Sequence, residues 1–491
     1  MKRAGSGSLA RLTKETLLYL PAIGGPALVG VLGLVVLTRL VSPSVYGRYA
    51  VALSVATMAA AVLGDWLTPT LIRFHSEPGD ARTGELGQYL VLAWVSSVGA
   101  TLIVLVSLGF IFPLALTAAA VVLSVALIHQ KLGLAVLRAK LLTRAYSMIS
   151  VAVSLASFAG GIGWYLATRR IEVLLWASAI VLVASLLPAA RIAGIVRSDL
   201  AGSVDRARIK ELSSFGIPIV VTAVGAQALL LADRYLLTTL SGEAAAGLYV
   251  PNYAIAERAV GFAFTPLFSA LYPLAARAWA REDRTEAVRY LTLSHRMFVV
   301  AGGYVCLVLV LMGDRVAGFM LGDDFVEGSS VIGLVALGNL AWFEGILFHQ
   351  PLELDKRTRA ITMQALTAGV LNIGLNVALI PPFGLMGAAW ATLGSYAAYT
   401  VTAYLWSKRS VGVQAEVPWA TIWRVGAFGL LAWGATAIVE TSGWGDVVFL
   451  ASSAVSYIMW LLLTREPVVG ELRALMQARS ARAASAGRPS E

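Results

Sequence analysis

Apolar runs of about twenty residues or more follow one another along most of the chain, separated by short polar turns. A run of that length matches the ~30 Å hydrocarbon thickness of a bilayer when wound as a helix, whereas a membrane β-barrel would show ~10-residue alternating segments. The pattern predicts an all-α polytopic membrane protein. Fourteen spans are expected, at 17–40, 46–72, 88–112, 114–136, 146–168, 172–194, 214–240, 247–273, 291–313, 329–351, 360–381, 384–407, 419–439 and 444–464. Helices are the natural spanning unit because they satisfy their own backbone hydrogen bonds where no water can.

The polar turns repeat. Thr38-Arg39-Leu40, Ser42-Pro43-Ser44 and Tyr46-Gly47-Arg48-Tyr49 join the first two spans, and Ala232-Asp233-Arg234, a polar turn and Gly247-Leu248-Tyr249 join the seventh and eighth. The two Gly-x-Tyr triplets stand 200 residues apart. Lys140-Leu-Leu-Thr143-Arg144-Ala145 is likewise echoed by Lys356-Arg-Thr358-Arg359-Ala360, each after a fourth span. This predicts two six-span halves in the same orientation, a parallel repeat. The expected division is a basic N-terminus at 1–16, an N-lobe at 17–200, a linker at 201–212, a C-lobe at 213–408, two further spans within 409–464, and a disordered tail at 465–491.

The composition agrees: 58% hydrophobic and only 13% charged, against about 25% charged in soluble domains. The net charge of +10 is the Lys/Arg excess of cytoplasmic loops rather than a nucleic-acid footprint. With both termini cytoplasmic, the inward loops hold most of the cations, including Arg138, Lys140, Arg144, Arg206, Arg208, Lys356, Arg357 and Arg359, while Asp323, Asp324 and Glu327 face outward. The expected outward loops are too short to carry a catalytic domain. No phosphate-binding loop, His-Glu-x-x-His or Cys/His cluster occurs, so neither cofactor nor metal is expected, and the chain does not read as an enzyme. The lone Cys306 lies in an apolar run and reads as a buried hydrophobe.

Three motifs carry a resemblance to a known family. The Ser42-Pro43-x-x-Tyr46-Gly47-x-Tyr49 turn resembles the first loop of bacterial polysaccharide-biosynthesis flippases. Ala232-Asp233-Arg234 with Gly247-Leu248-Tyr249, and Pro381-Pro-Phe-Gly384-Leu-Met-Gly387-Ala388-Ala389, are similar to later turns of the same family. These O-antigen and exopolysaccharide flippases belong to the multidrug/oligosaccharidyl-lipid/polysaccharide exporter superfamily. The resemblance implies two six-helix lobes around a cavity and alternating access. It implies movement of a polyprenyl-diphosphate-linked oligosaccharide from the inner to the outer leaflet of the bacterial cytoplasmic membrane. The implied partners are that lipid-linked oligosaccharide, membrane lipids, a polysaccharide polymerase and glycosyltransferases, and no nucleic acid. The other readings are an ion-coupled exporter of drugs or organic cations, a peptidoglycan-precursor flippase, and a non-transporting scaffold for glycosyltransferases.

Ionisable groups inside spans are the informative residues, because each is costly in hydrocarbon and needs a wet cavity or a partner. Arg39, Arg234 and Arg258, with Asn252 and Tyr249, are expected to line the substrate cavity. Guanidinium presents a fixed fork of donors that matches phosphate oxygens. Arg39 lies near a span end, where snorkelling is the alternative. Asp65, Asp233, Glu257 and Glu344 are the candidates for ion coupling. Asp233 and Arg234 are adjacent, so they leave the helix on different faces and need separate partners. Asn372 and Asn376, one turn apart, read as interhelical hydrogen-bonding groups, and Pro26 and Pro251 as hinges.

Overall fold

The computed structural model describes residues 5–75, 85–200, 204–412, 415–442, 445–468 and 470. Parts of the expected N-terminus (1–4), linker (201–203) and tail (471–491) lie outside the described residues. The described chain is helical throughout, in the order α1 (Gly5–Thr38), α2 (Pro43–Gly64), α3 (Leu67–His75), α4 (Glu85–Leu108), α5 (Leu114–Ala139), α6 (Thr143–Thr168) and α7 (Val173–Ile192). It continues with the short α8 (Arg197–Leu200), α9 (Arg206–Ser241), α10 (Glu243–Ala280), α11 (Arg284–Met320), α12 (Ile332–Leu354), α13 (Thr358–Val411), α14 (Trp419–Ser442) and α15 (Asp446–Leu463). A 3-10 segment, Asp323–Val331, precedes α12. Among the described residues, ten helices are long and apolar enough to cross a membrane. The all-α polytopic expectation is met.

One element boundary differs from the hydropathy pattern, and another coincides with it. The expected span at 46–72 breaks at Asp65-Trp66, because α2 ends at Gly64 and α3 starts at Leu67. The expected pair at 360–381 and 384–407 is present as two helices within α13, separated where the backbone leaves the helical region at Gly384 (φ 53°, ψ −128°). A side-chain-bearing residue is strained at that positive φ, which explains the glycine. A Cβ at Gly387 would lie 2.1 Å from the Leu379 carbonyl oxygen. Eight residues of straight helix would separate them by about 12 Å, so the chain folds back at Gly384. Inside α11 the backbone departs from helix at Met312, while Pro26 and Pro251 lie within continuous helix.

The chain divides into two compact units. The first comprises Met1–Pro251, Met320–Glu327 and Ala365–Ala388. Its core is α2, against which α4, α5 and α9 pack. Ala52, Ala56, Ala59 and Ala60 on α2 are fully buried, and small residues of this kind let membrane helices approach closely. Helix α9 begins at an Asp205 cap, whose carboxylate accepts from the Ala207 and Arg208 amides at 2.9 and 3.3 Å.

The two Gly-x-Tyr motifs meet inside this unit. A Cβ at Gly47 would fall 1.9 Å from the Glu243 carbonyl oxygen, and one at Gly247 would fall 1.7 Å from the Pro43 carbonyl oxygen. Each glycine sits on the carbonyl four residues before the other, so the contact is reciprocal. The sequence repeat is thus a crossing of the first turns of α2 and α10, backbone against backbone. Arg48 Nε and the Glu243 carboxylate, 3.3 Å apart, pair across it.

The second unit comprises Asn252–Phe319, Gly328–Gln364 and Ala389–Glu491. Phe264 of α10 stacks on Phe343 of α12 (4.4 Å) and meets Phe298 of α11 edge-on (5.3 Å). Helices α14 and α15 pack on α11 through Val299, Val425, Phe428, Tyr457 and Leu461. Glu466, placed in the tail by the sequence pattern, is 2% exposed. It accepts from Thr421 Oγ1 and Arg424 Nη1, each at 2.7 Å.

Candidate functional site

In the first unit, α9 and the start of α10 hold the Asp233–Arg234 doublet. Asp233 is buried, and its Oδ2 accepts a 2.9 Å hydrogen bond from the Tyr249 hydroxyl, itself fully buried. The Arg234 amide donates to Asp233 Oδ1 at 2.8 Å. The two side chains diverge, as adjacency on a helix requires, and Arg234 Nη1 reaches across to Ser54 Oγ of α2 at 3.3 Å. Ser54 lies eleven residues into α2, about 16 Å along the helix.

Asp65 stands at the break between α2 and α3 and forms an ion pair with Lys131 of α5. Lys131 was missed by the sequence pattern, although a lysine eight residues before the end of an apolar helix is signal enough. Arg39 donates to the Val35 carbonyl at 2.8 Å and to the Met320 carbonyl at 3.0 Å. Beside it the Gly322 amide donates to Thr38 Oγ1 at 3.2 Å, and Phe325 packs edge-on against Tyr46 at 5.6 Å. Arg39 therefore satisfies carbonyls that a helix end leaves open.

In the second unit, Arg258 lies fifteen residues into α10, about 22 Å along it and inside the expected span at 247–273. Its Nη1 is buried and has no hydrogen-bond partner among the described residues. Glu257 precedes it, and both are partly exposed. Asn252 is fully buried. Glu344 of α12 meets His295 of α11, with Oε2 and Nδ1 2.5 Å apart. His295, also missed by the sequence pattern, is fully buried, with the Phe348 ring 4.0 Å from its own. Nearby in this unit, the Tyr253 and Tyr396 hydroxyls are 3.0 Å apart, and His349 Nδ1 lies 2.7 Å from the Tyr399 hydroxyl.

The structure thus brings Asp233, Arg234 and Tyr249 together. It gives Asp65 and Glu344 cationic or cationisable partners that were not foreseen, and it uses Arg39 at a turn. Asn376 Nδ2 donates to both the backbone and side-chain oxygens of Asn372, 2.9 and 3.1 Å away along the same helix. Among the described residues no group of three His, Cys, Asp or Glu side chains is placed to hold a metal.

Comparison with known proteins follows the same lines. The whole chain superposes on a structure described as "Lipid II flippase MurJ, inward closed conformation", with a TM-score of 0.74 at 12% identity, covering 92% of this chain and 100% of that one. It also superposes on an inward-facing multidrug resistance MATE family transporter of the MOP superfamily, with a TM-score of 0.64 at 13% identity, covering 80% of this chain and 98% of that one. These likenesses establish the fold, an all-α multi-pass membrane architecture. A curated relative, the probable low-salt glycan biosynthesis flippase Agl15 of Haloferax volcanii, is 29% identical over 117 residues. That match spans 23% of this chain and 25% of the relative's length. The model of the polysaccharide biosynthesis protein family matches residues 12–279. The match takes in more than half of the chain, including both Gly-x-Tyr motifs, Asp65, Asp233, Arg234 and Arg258, and the chain belongs to the polysaccharide biosynthesis protein family.

Proposed function

We propose that this protein moves a polyprenyl-diphosphate-linked oligosaccharide from the inner to the outer leaflet of the cytoplasmic membrane by alternating access. The observation that carries the reading is Arg258. A guanidinium nitrogen buried in the middle of a span, with no partner among the described residues, is expensive unless an anion visits it. A diphosphate offers oxygens in the spacing that the guanidinium fork matches. Arg234 of the first unit and Asn252 of the second are the further candidates for contact with substrate. Tyr249 acts on Asp233, holding the doublet in place, and Arg39 holds the first turn. The names of the relatives support the reading, since one is a lipid II flippase and another a probable flippase of glycan biosynthesis.

Export of organic cations fits less well. A cation pocket needs acids free of counter-charge, whereas Asp65 is paired with Lys131. The protein acts as a transporter and not as an enzyme, and it needs no cofactor. Asp65, Asp233, Glu257 and Glu344 are its candidate ion-coupling groups. The lobes are 17–200 and 213–408, both termini are cytoplasmic, and a polymerase and glycosyltransferases are its neighbours in the pathway.

The test is reconstitution into vesicles with a fluorescent short-chain polyprenyl-diphosphate sugar. Its appearance in the opposite leaflet is scored by a membrane-impermeant quencher. The wild-type protein should accelerate the transfer, and Arg258→Gln should abolish the acceleration. Transfer no faster than in protein-free vesicles would overturn the reading, as would full activity of the doubly substituted Arg234→Gln/Arg258→Gln protein.

A further inference from the structure

We infer that His295 and Glu344 form a proton-binding site within the membrane-spanning part of the second unit. Its place in the transport cycle rests on the reading above, but its chemistry does not. His295 lies eleven residues from the start of α11 and Glu344 ten residues from the end of α12. At 1.5 Å per residue those are about 16 and 15 Å along their helices, and the two side chains meet there on adjacent helices.

Four observations separate this pair from the other intramembrane acids. Asp65 is paired with a lysine. Asp233 is held by a tyrosine hydroxyl, and Glu466 by an arginine and a threonine. Glu344 alone among these has an imidazole partner, the one side chain whose unperturbed charge change falls between pH 5 and 8. The fourth observation is what remains uncommitted. His295 Nε2 and Glu344 Oε1 are both buried without a hydrogen-bond partner among the described residues.

The exchange follows from those atoms. With Glu344 as the carboxylate, which can only accept, the ring tautomer protonated at Nδ1 donates to Oε2 and leaves the Nε2 lone pair open. A proton arriving from water bonds to Nε2 and makes an imidazolium, whose charge is compensated by the Glu344 carboxylate in contact with it. Its departure restores the neutral ring and leaves the carboxylate without counter-charge. Loading and unloading therefore alter the net charge of a buried site by one unit. In low dielectric such a change is costly enough to bias the packing of α11 against α12.

The surrounding elements do not supply a competing partner. On α12, His349 is bonded to Tyr399 and has Glu353 4.0 Å from its Nε2. On α11, Arg296 lies 4.0 Å from Glu416. Helix α10 packs here through Phe264, with Glu257 and Arg258 about two turns away. Helix α13 packs through Tyr404, which meets Phe348 and carries Lys408 over its ring. None of these groups makes a hydrogen bond or ion pair with His295 or Glu344 among the described residues.

The experiment uses full-length protein in nanodiscs with [15N]histidine, where four histidines give a countable spectrum. His295→Gln assigns its signal. In the wild type the His295 ring nitrogens should move between neutral and protonated positions from pH 5 to pH 9. In Glu344→Gln, whose shape is nearly unchanged, the ring should stay neutral throughout, because a buried cation would then lack its counter-charge. A wild-type His295 signal that does not move with pH would overturn the site. So would the same titration in Glu344→Gln, or a sodium titration that shifts the His295 signal at fixed pH. The vesicle assay separates the two claims. A titrating His295 in a protein that moves no lipid-linked sugar would leave the proton site standing and remove the transport reading.

Discussion

Replacing Gly247 by alanine tests the crossing that unites the two sequence repeats. The new methyl carbon would sit 1.7 Å from the Pro43 carbonyl oxygen, where ordinary contact begins at 3.4 Å. The shortfall of about 1.7 Å cannot be absorbed by a side-chain rotation, because the obstacle is backbone. The helices must part, and the Gly47 side of the crossing loses its contacts as well. Overpacking typically costs 1–3 kcal/mol, and a backbone obstacle places this substitution at the upper end, about 3 kcal/mol. Gly47→Ala, with its methyl 1.9 Å from the Glu243 carbonyl oxygen, should cost about the same. Once one substitution has separated the helices the second meets less resistance, so the double variant should fall short of the sum by about 1–2 kcal/mol. The assay is unfolding in mixed SDS micelles followed by tryptophan fluorescence. Gly163→Ala serves as the control, since a Cβ there meets nothing within 4 Å. If Gly247→Ala unfolds at the same SDS fraction as Gly163→Ala, or if the two costs simply add, the reciprocal crossing is wrong.

Removal of the Glu466 carboxylate should be equally visible. Glu466→Ala leaves Arg424 and Thr421 without their buried acceptor, and breaking a buried ion pair from one side costs about 3–5 kcal/mol. The midpoint of thermal unfolding should drop and proteolysis between α14 and α15 should accelerate; an unchanged midpoint would detach Glu466 from the fold. Tyr249→Phe removes the hydroxyl donor from a buried Asp233, worth about 1–3 kcal/mol in the same SDS assay. Lys131→Met should lower stability and Asp65→Asn/Lys131→Met should restore part of it, because the pair then disappears from both sides. A double variant less stable than either single would show that the two groups do not compensate each other.

The helical spans were legible because lipid enforces one solution on an apolar run: a helix of about twenty residues. The Gly-x-Tyr repeat was legible as a repeat, but its meaning was not. Nothing in either triplet says that Gly47 and Gly247 face each other, since the contact joins residues 200 apart. The break at Asp65-Trp66 was hidden for a different reason. Hydropathy averages over a window and passes smoothly over one helix end inside an apolar stretch. Lys131 and His295 stand out less in the charge pattern than the Asp-Arg and Glu-Arg doublets. Each of the two is a lone polar residue in an otherwise apolar run, and it acquires meaning only when Asp65 or Glu344 arrives from another helix. Arg39 illustrates the converse. Its position near a span end suggests either a cavity or snorkelling, and its contacts with the backbone carbonyls of Val35 and Met320 appear only in the fold.

The central claim is that the membrane-embedded arginines hold the diphosphate of a lipid-linked sugar. Native mass spectrometry of the gently purified protein tests it most directly, with Arg234→Ala and Arg258→Ala alongside. The account predicts a retained polyprenyl-diphosphate glycan in the wild type, reduced at least tenfold in each variant, a loss corresponding to about 1.4 kcal/mol or more of binding. A wild-type protein that retains organic cations instead, and releases them when acids rather than arginines are replaced, would contradict it.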